Sequence, residues 1–107
     1  MLESKQEALD RGVKHITDYF ADRVAKRKMK AEKAQTLVAL LTSSLSYEDL
    51  AHADLVIEAV FESMDVKKTV FEKLDSVCKP GAILASNTST LDLNQIASFT
   101  NRPQDVV

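Results

Sequence analysis

The period of the apolar positions changes once along the chain, and that change divides it. From Gln6 to about Met29, Leu9, Val13, Ile16, Phe20 and Val24 recur every three or four residues, which predicts an amphipathic helix. Gly12 lies inside the pattern and weakens the helix by about 1 kcal/mol relative to alanine. A second helix is predicted from Ala31 to Leu41, with Ala34, Leu37, Val38 and Leu41 on one side. Thr42-Ser43-Ser44-Leu45 then reads as a short edge strand, and Ser46 with Asp49 as a capping box opening one helical turn through Leu50.

From residue 54 the pattern differs. Asp54-Leu-Val-Ile-Glu-Ala-Val is short, rich in β-branched residues and without alternation between Leu55 and Ala59. Such a run predicts a strand buried on both faces of a parallel sheet. Glu58 interrupts it, so its carboxylate must lie near the strand end with a hydrogen-bond partner or solvent, because burying it alone is costly. Met64 to Cys78 is predicted helical, with Val66, Val70, Phe71, Leu74 and Val77 as its stripe and Lys67, Lys68, Glu72 and Lys73 mostly off it. Pro80-Gly81 stops that helix, and Ala82 to Ala85 gives a second strand. Strand, helix and strand joined this way form a right-handed parallel crossover, so the class is α/β. A helix from Asn94 to Phe99, capped by Asp92 or Thr90, precedes a break at Asn101-Arg102-Pro103, and Asp105-Val106-Val107 reads as the start of another strand.

Composition narrows the partners. With 107 residues, 45% hydrophobic and 28% charged, the chain suits one small globular domain. A net charge of −2 argues against a nucleic-acid binder, and the apolar runs are too short to cross a membrane. No export leader is recognisable at the start. Cys78 is the sole cysteine and sits at the end of a helical stripe, so we expect a buried, inert thiol and a reducing compartment, cytoplasmic or an organelle matrix. Arg23, Lys26, Arg27, Lys28, Lys30 and Lys33 make the junction of the two predicted helices basic; it suits either a solvated helix end or an anion contact. His15 and His52 have no partners at metal-ligand spacing, and no metal site is expected.

Two features carry candidate chemistry. Glu62 lies just past the carboxyl end of the first strand, and Ser86-Asn87-Thr88-Ser89-Thr90 follows the second. Ligands of open α/β sheets bind at such ends. The polar cluster fits ligand hydrogen bonding or a plain loop with a helix cap, and spacing alone leaves both open. Nothing supports a serine nucleophile.

Asp54-Leu-Val-Ile-Glu-Ala-Val-Phe-Glu62, Val66-Lys67-Lys68 and Leu84-Ala-Ser-Asn-Thr-Ser-Thr-Leu91 resemble the 3-hydroxyacyl-CoA dehydrogenase family, as do Leu2-Glu3, Gln6-Glu7-Ala8-Leu9 and Arg102-Pro103-Gln104-Asp105-Val106-Val107. The resemblance spans residues 1–107 and is nearest the NAD-binding domain of multifunctional fatty-acid β-oxidation proteins. It implies a partial Rossmann-type parallel sheet with an N-terminal helical pair, and hydride transfer from the 3-hydroxyl carbon of an acyl-CoA to NAD. Carried over, Glu3 holds the adenosine ribose hydroxyls, while Ala59, Val60, Glu62 and Lys67 line the NAD path. Asn87 lies beside the nicotinamide ribose, Ser89 bonds the substrate's reacting oxygen, and Lys26 contacts a CoA phosphate.

The family pattern also holds parts without a counterpart here. Its first strand and glycine-rich turn are missing, since Gly12 and Gly81 are the only glycines, and so is the catalytic histidine of a Gly-x-His-Phe-Phe segment, which neither His15 nor His52 matches. A fragment of the enzyme, inactive alone, is therefore expected. The alternatives are a non-catalytic CoA-binding or assembly module and a helical structural protein with a relic dehydrogenase half. Loss of a central strand exposes sheet edges, so a homo-oligomer is expected.

Overall fold

The computed structural model describes all 107 residues, which divide into two compact units, residues 1–46 and 47–107.

Helix α1 (Gln6–Ala25) and helix α2 (Ala31–Ala39) make up most of the first unit. Both end earlier than the apolar period predicts. Lys26 closes α1, Arg27 takes a left-handed φ of 56°, and the chain turns within the basic segment before α2 begins. The predicted edge strand at Thr42–Leu45 is a single parallel bridge instead, Leu2 to Ser44. The Ser44 N–H donates to the Met1 carbonyl at 2.9 Å, and the Glu3 N–H donates to the Ser44 carbonyl at 3.1 Å. Leu9 and Ala34 are the buried residues of this unit, and Val13, Ile16 and Phe20 are half-buried.

The second unit holds a 3₁₀ turn (Tyr47–Leu50), strand β1 (Leu55–Glu58), helix α3 (Met64–Val77), strand β2 (Ile83–Ser86), helix α4 (Leu93–Ser98) and a 3₁₀ turn at Pro103–Asp105. Strands β1 and β2 pair in parallel, with Leu55 opposite Ile83 and Glu58 opposite Ser86. The predicted third strand is present as one parallel bridge, Leu84 to Val106. Gly81, at φ 81°, makes the turn into β2 that Pro80-Gly81 foretold. Asp92 caps α4 by accepting the Asn94 N–H at 2.9 Å. At the other end of α3, Arg102 Nη1 and Nη2 donate to the carbonyls of Lys79, Asp75 and Cys78, while Nε donates to the Asp75 carboxylate at 2.7 Å. Carbonyls without an intrahelical partner are thereby satisfied. Burial pushes the Asp75 carboxyl up, but the Asn101 N–H and the Arg102 guanidinium outweigh it and hold it below its ordinary value.

Phe71 and Leu74 from α3, Cys78 just after it, Ile96 and Ala97 from α4, and Ala82, Leu84 and Val106 form one core. Cys78 is buried and its thiol is pushed up by that burial, which suits an inert residue.

Strand β1 departs from the sequence reading. The run without alternation predicts burial on both faces, yet Leu55 is 51% and Ile57 68% exposed, while Glu58 is buried. Ile83 beside them is 44% exposed. The physical reason is one-sided packing: α3 and α4 both cover the face that carries Val56 and Leu84. Helix α3 also presents a different stripe. Lys67, Phe71 and Leu74 are its buried positions, and Cys78 just past its end continues them at spacings of four, three and four, whereas Val66 is exposed. Lys67, expected off the stripe, is at its head.

Candidate functional site

The two parallel strands end side by side, so the segments that follow them meet. Residues 59–63 leave β1 and enter α3; residues 87–92 leave β2 and enter α4. The Asn87 N–H donates to the Glu58 carbonyl at 2.9 Å and extends the ladder by one bond.

Glu58, the last residue of β1, is the hub. Its Oε1 accepts from Lys67 Nζ at 2.8 Å and from the Val60 N–H at 2.7 Å. Its Oε2 accepts from Lys67 Nζ at 2.8 Å and from the Ser86 hydroxyl at 2.7 Å. The requirement that this carboxylate find partners is met four times. Burial alone pushes the Glu58 carboxyl up; the bonds from Lys67, Ser86 and Val60 and the Lys67 charge overcome that and hold it below its ordinary value.

Lys67 lies in the first turn or so of α3, where the helix dipole disfavours a cation, and its side chain has no exposure. Two carboxylates compensate. Glu58 is in direct contact, and Glu62 Oε1 lies 3.8 Å from Nζ. Glu62 is itself 40% exposed and reaches the other loop: Oε1 accepts the Thr88 hydroxyl at 2.6 Å, and Oε2 lies 3.5 Å from the Ser89 N–H. Thr88 Oγ1 also accepts the Leu91 N–H at 3.1 Å, which fixes the entry to α4.

The Asn87 amide and the Ser89 hydroxyl lie on exposed residues and have no partner within the protein. Ala59 and Val60 are exposed as well. Free hydrogen-bonding side chains, one exposed carboxylate and a small residue therefore surround the carboxyl ends of two parallel strands. That arrangement can bind a polar ligand carrying hydroxyl groups.

Of the sequence-predicted residues, Ala59, Val60, Glu62, Lys67, Asn87 and Ser89 come together at these strand ends. Glu3 and Lys26 belong to the other unit. Glu3 is exposed beside the Leu2–Ser44 bridge, and Lys26, next to the turn after α1, pairs with Asp22 at 2.9 Å. In the same basic segment Arg23 Nε is buried with no partner. His15 and His52 are exposed; His52 precedes β1 and so lies at the amino ends of the strands, away from Ser89. No group of three or more His, Cys, Asp or Glu side chains converges on a metal-sized space.

Sequence reasoning missed the pairing of Glu58 with Lys67 and the part of Ser86. A signal was available. A carboxylate at a buried strand end needs a cation, and Lys67 lies one helical repeat before Phe71 on the core side of α3.

Comparison with known proteins identifies the family and the fold. The family model for the NAD-binding domain of 3-hydroxyacyl-CoA dehydrogenase matches residues 1–107. The peroxisomal bifunctional enzyme of Cavia porcellus is 43% identical over 106 residues, covering 99% of this chain and 14% of the relative. The probable 3-hydroxybutyryl-CoA dehydrogenase of Bacillus subtilis is 38% identical over 107 residues, covering all of this chain and 37% of the relative. The solved 3-hydroxybutyryl-CoA dehydrogenase of Escherichia coli superposes with a TM-score of 0.94 at 35% identity over 98% of this chain and 22% of that one. The chain thus spans about a third or less of the length of these proteins, and its mixed helix–strand architecture is a partial Rossmann-type domain.

Proposed function

Because the chain belongs to the 3-hydroxyacyl-CoA dehydrogenase family, we propose that it forms the middle of the NAD site of an oxidoreductase that converts 3-hydroxyacyl-CoA to 3-ketoacyl-CoA in fatty-acid β-oxidation. The observation that carries this reading is the pairing of exposed Glu62 with the loop of Asn87 and Ser89 at the ends of two parallel strands. Bound there, NAD supplies the acceptor for the hydride leaving the substrate's third carbon. Ser89 donates its hydroxyl to the reacting oxygen, and Asn87 holds the nicotinamide ribose. Ala59, Val60 and Glu62 line the cofactor path, Glu3 takes the adenosine ribose hydroxyls, and Lys26 takes a phosphate of the acyl-CoA substrate; Lys67, whose side chain is fully buried, backs Glu62 instead of lining that path.

The residues present fit the nicotinamide end of such a cofactor: the exposed Asn87 and Ser89 side chains, without protein partners, and the exposed Glu62 carboxylate would be available to hold it. The pyrophosphate end has no such cradle in residues 1–107, since Gly12 and Gly81 stand too far apart for a Gly-x-Gly-x-x-Gly turn. No histidine stands beside Ser89 to take the hydroxyl proton. We therefore assign no turnover to the 107 residues by themselves. No helix is long and apolar enough to cross a membrane. A single buried thiol suits a reducing compartment such as the cytoplasm. The uncovered face of β1 and β2, with Leu55, Ile57 and Ile83 exposed, supports association into a homo-oligomer.

A second reading, a non-catalytic CoA-binding or assembly module, is favoured by the basic segment after α1 and the unpartnered Arg23 Nε. Calorimetry with NADH and with CoA, alongside a spectrophotometric assay of 3-ketoacyl-CoA reduction, separates the two. The first reading expects weak NADH binding, sensitive to Glu62→Gln, and no turnover. CoA binding with no NADH binding favours the second, and turnover refutes the inactivity of the 107 residues.

A further inference from the structure

Residues 86 to 89, which lead to and include Ser89, are held by hydrogen bonds that trace back to the buried residue Glu58. Glu58 reaches them by three routes. Its carboxylate takes the Ser86 hydroxyl at 2.7 Å, and its backbone carbonyl takes the Asn87 N–H at 2.9 Å. The third route runs through Lys67. Both Glu58 oxygens lie 2.8 Å from Nζ, and the ammonium so fixed stands 3.8 Å from Glu62 Oε1. Glu62 in turn takes the Thr88 hydroxyl at 2.6 Å and faces the Ser89 N–H at 3.5 Å. Residues 86 to 89 are thereby bound in sequence.

A purely structural ion pair needs none of this. A buried pair can be replaced by apolar residues at little cost, so its presence is weak evidence of a stabilising purpose. Here the buried cation bridges a closed carboxylate to an exposed one, and the exposed one carries the loop. The Lys67 side chain itself has no exposure, so its influence on a bound molecule passes through its neighbours.

We propose that Glu58 is a positioning residue for the site: through Lys67 and Glu62 it sets the place of Thr88 and Ser89, while touching neither substrate nor cofactor. The assignment of a purpose to that placement rests on the reading of Ser89 as the residue at the reacting oxygen. Lys67 on this view is the relay in the same device, and Ser86 its second arm.

The test compares three variants of the 107-residue chain by amide resonances and thermal melting. Glu58→Gln strands a buried ammonium and lowers the melting temperature. Glu58→Gln with Lys67→Met restores neutrality and recovers most of that loss, yet still releases Glu62. Glu62→Gln, at an exposed position, cuts the far arm without burying a charge. The inference expects the double variant and Glu62→Gln to displace the Thr88 and Ser89 amide resonances in the same direction, although both melt cooperatively. It also expects both to weaken NADH binding about tenfold, the effect of losing one charge-assisted hydrogen bond. Unmoved Thr88 and Ser89 resonances in the double variant overturn it, because charge balance alone then explains the pair. A parent chain that binds no NADH sinks the reading of these strand ends as an NAD site but leaves the resonances to decide the positioning role.

Discussion

Residues 1–46 and 47–107 carry equally clear apolar stripes, yet they use them differently. In the first unit a helix of 20 residues buries Leu9, while Val13, Ile16 and Phe20 remain half-exposed. In the second, Phe71, Leu84 and Ile96 are sealed from solvent entirely, and a Glu–Lys pair is sealed beside them. Periodicity therefore identifies the face an element will bury but says nothing about how much is available to cover it. A strand–helix–strand crossover supplies its own cover, because the helix returns over the sheet it connects. A helical pair held by one backbone bridge supplies less.

The sharpest way to break that contrast is truncation in the two cores. Phe71→Ala should cost the second unit about 3–5 kcal/mol, and Leu9→Ala should cost the first about 2–3 kcal/mol. Hydrogen exchange resolved by residue reads the two units separately. Equal losses would place as firm a core around Leu9 as around Phe71.

Acid provides the next test. Glu58 and Asp75, both in the second unit, are held below their ordinary values in the folded chain. Their contribution is whole above the unfolded carboxylate range, about pH 4, and drains away as pH falls through the lower folded values. Denaturation midpoints measured from pH 6 to pH 2 should fall most steeply below about pH 4, and Asp75→Asn should flatten that fall. A flat profile in the parent chain contradicts the assignment.

Smaller effects sharpen the comparison further. Asp92→Ala removes the cap of α4 and should cost about 1 kcal/mol by denaturant titration. Lys14→Ala breaks an exposed pair with Asp18 on α1 and should cost about 0.3–0.5 kcal/mol, less in high salt. A larger loss at Lys14 than at Asp92 would reverse the ranking of the two units.

Much of this molecule is legible in its residues. The bounds of α3 follow from the stripe between Met64 and the Pro80-Gly81 stop, and β2 from the apolar run after it, each within a residue or so. The dehydrogenase family is carried by the residues around Glu62 and Ser89. What the residues conceal depends on contacts between elements. Alternation is absent from β1 although one face is open, because Leu55 and Ile57 are as apolar as the Val56 that α3 and α4 cover. Lys67 reads as a solvated helix position, since its burial needs a partner on a strand nine residues earlier. The bridge from Leu2 to Ser44 likewise joins segments whose pairing no local period announces.

The central claim is that the exposed groups at the carboxyl ends of β1 and β2 form part of an NAD site. Titrating the isotopically labelled chain with NADH while following its amide resonances tests it directly. The account predicts progressive shifts at Ala59, Val60, Glu62, Asn87 and Ser89, all diminished by Glu62→Gln. Shifts confined to the basic segment around Lys26, or no shift at residues 59–62 and 87–89 at saturating NADH, would contradict it.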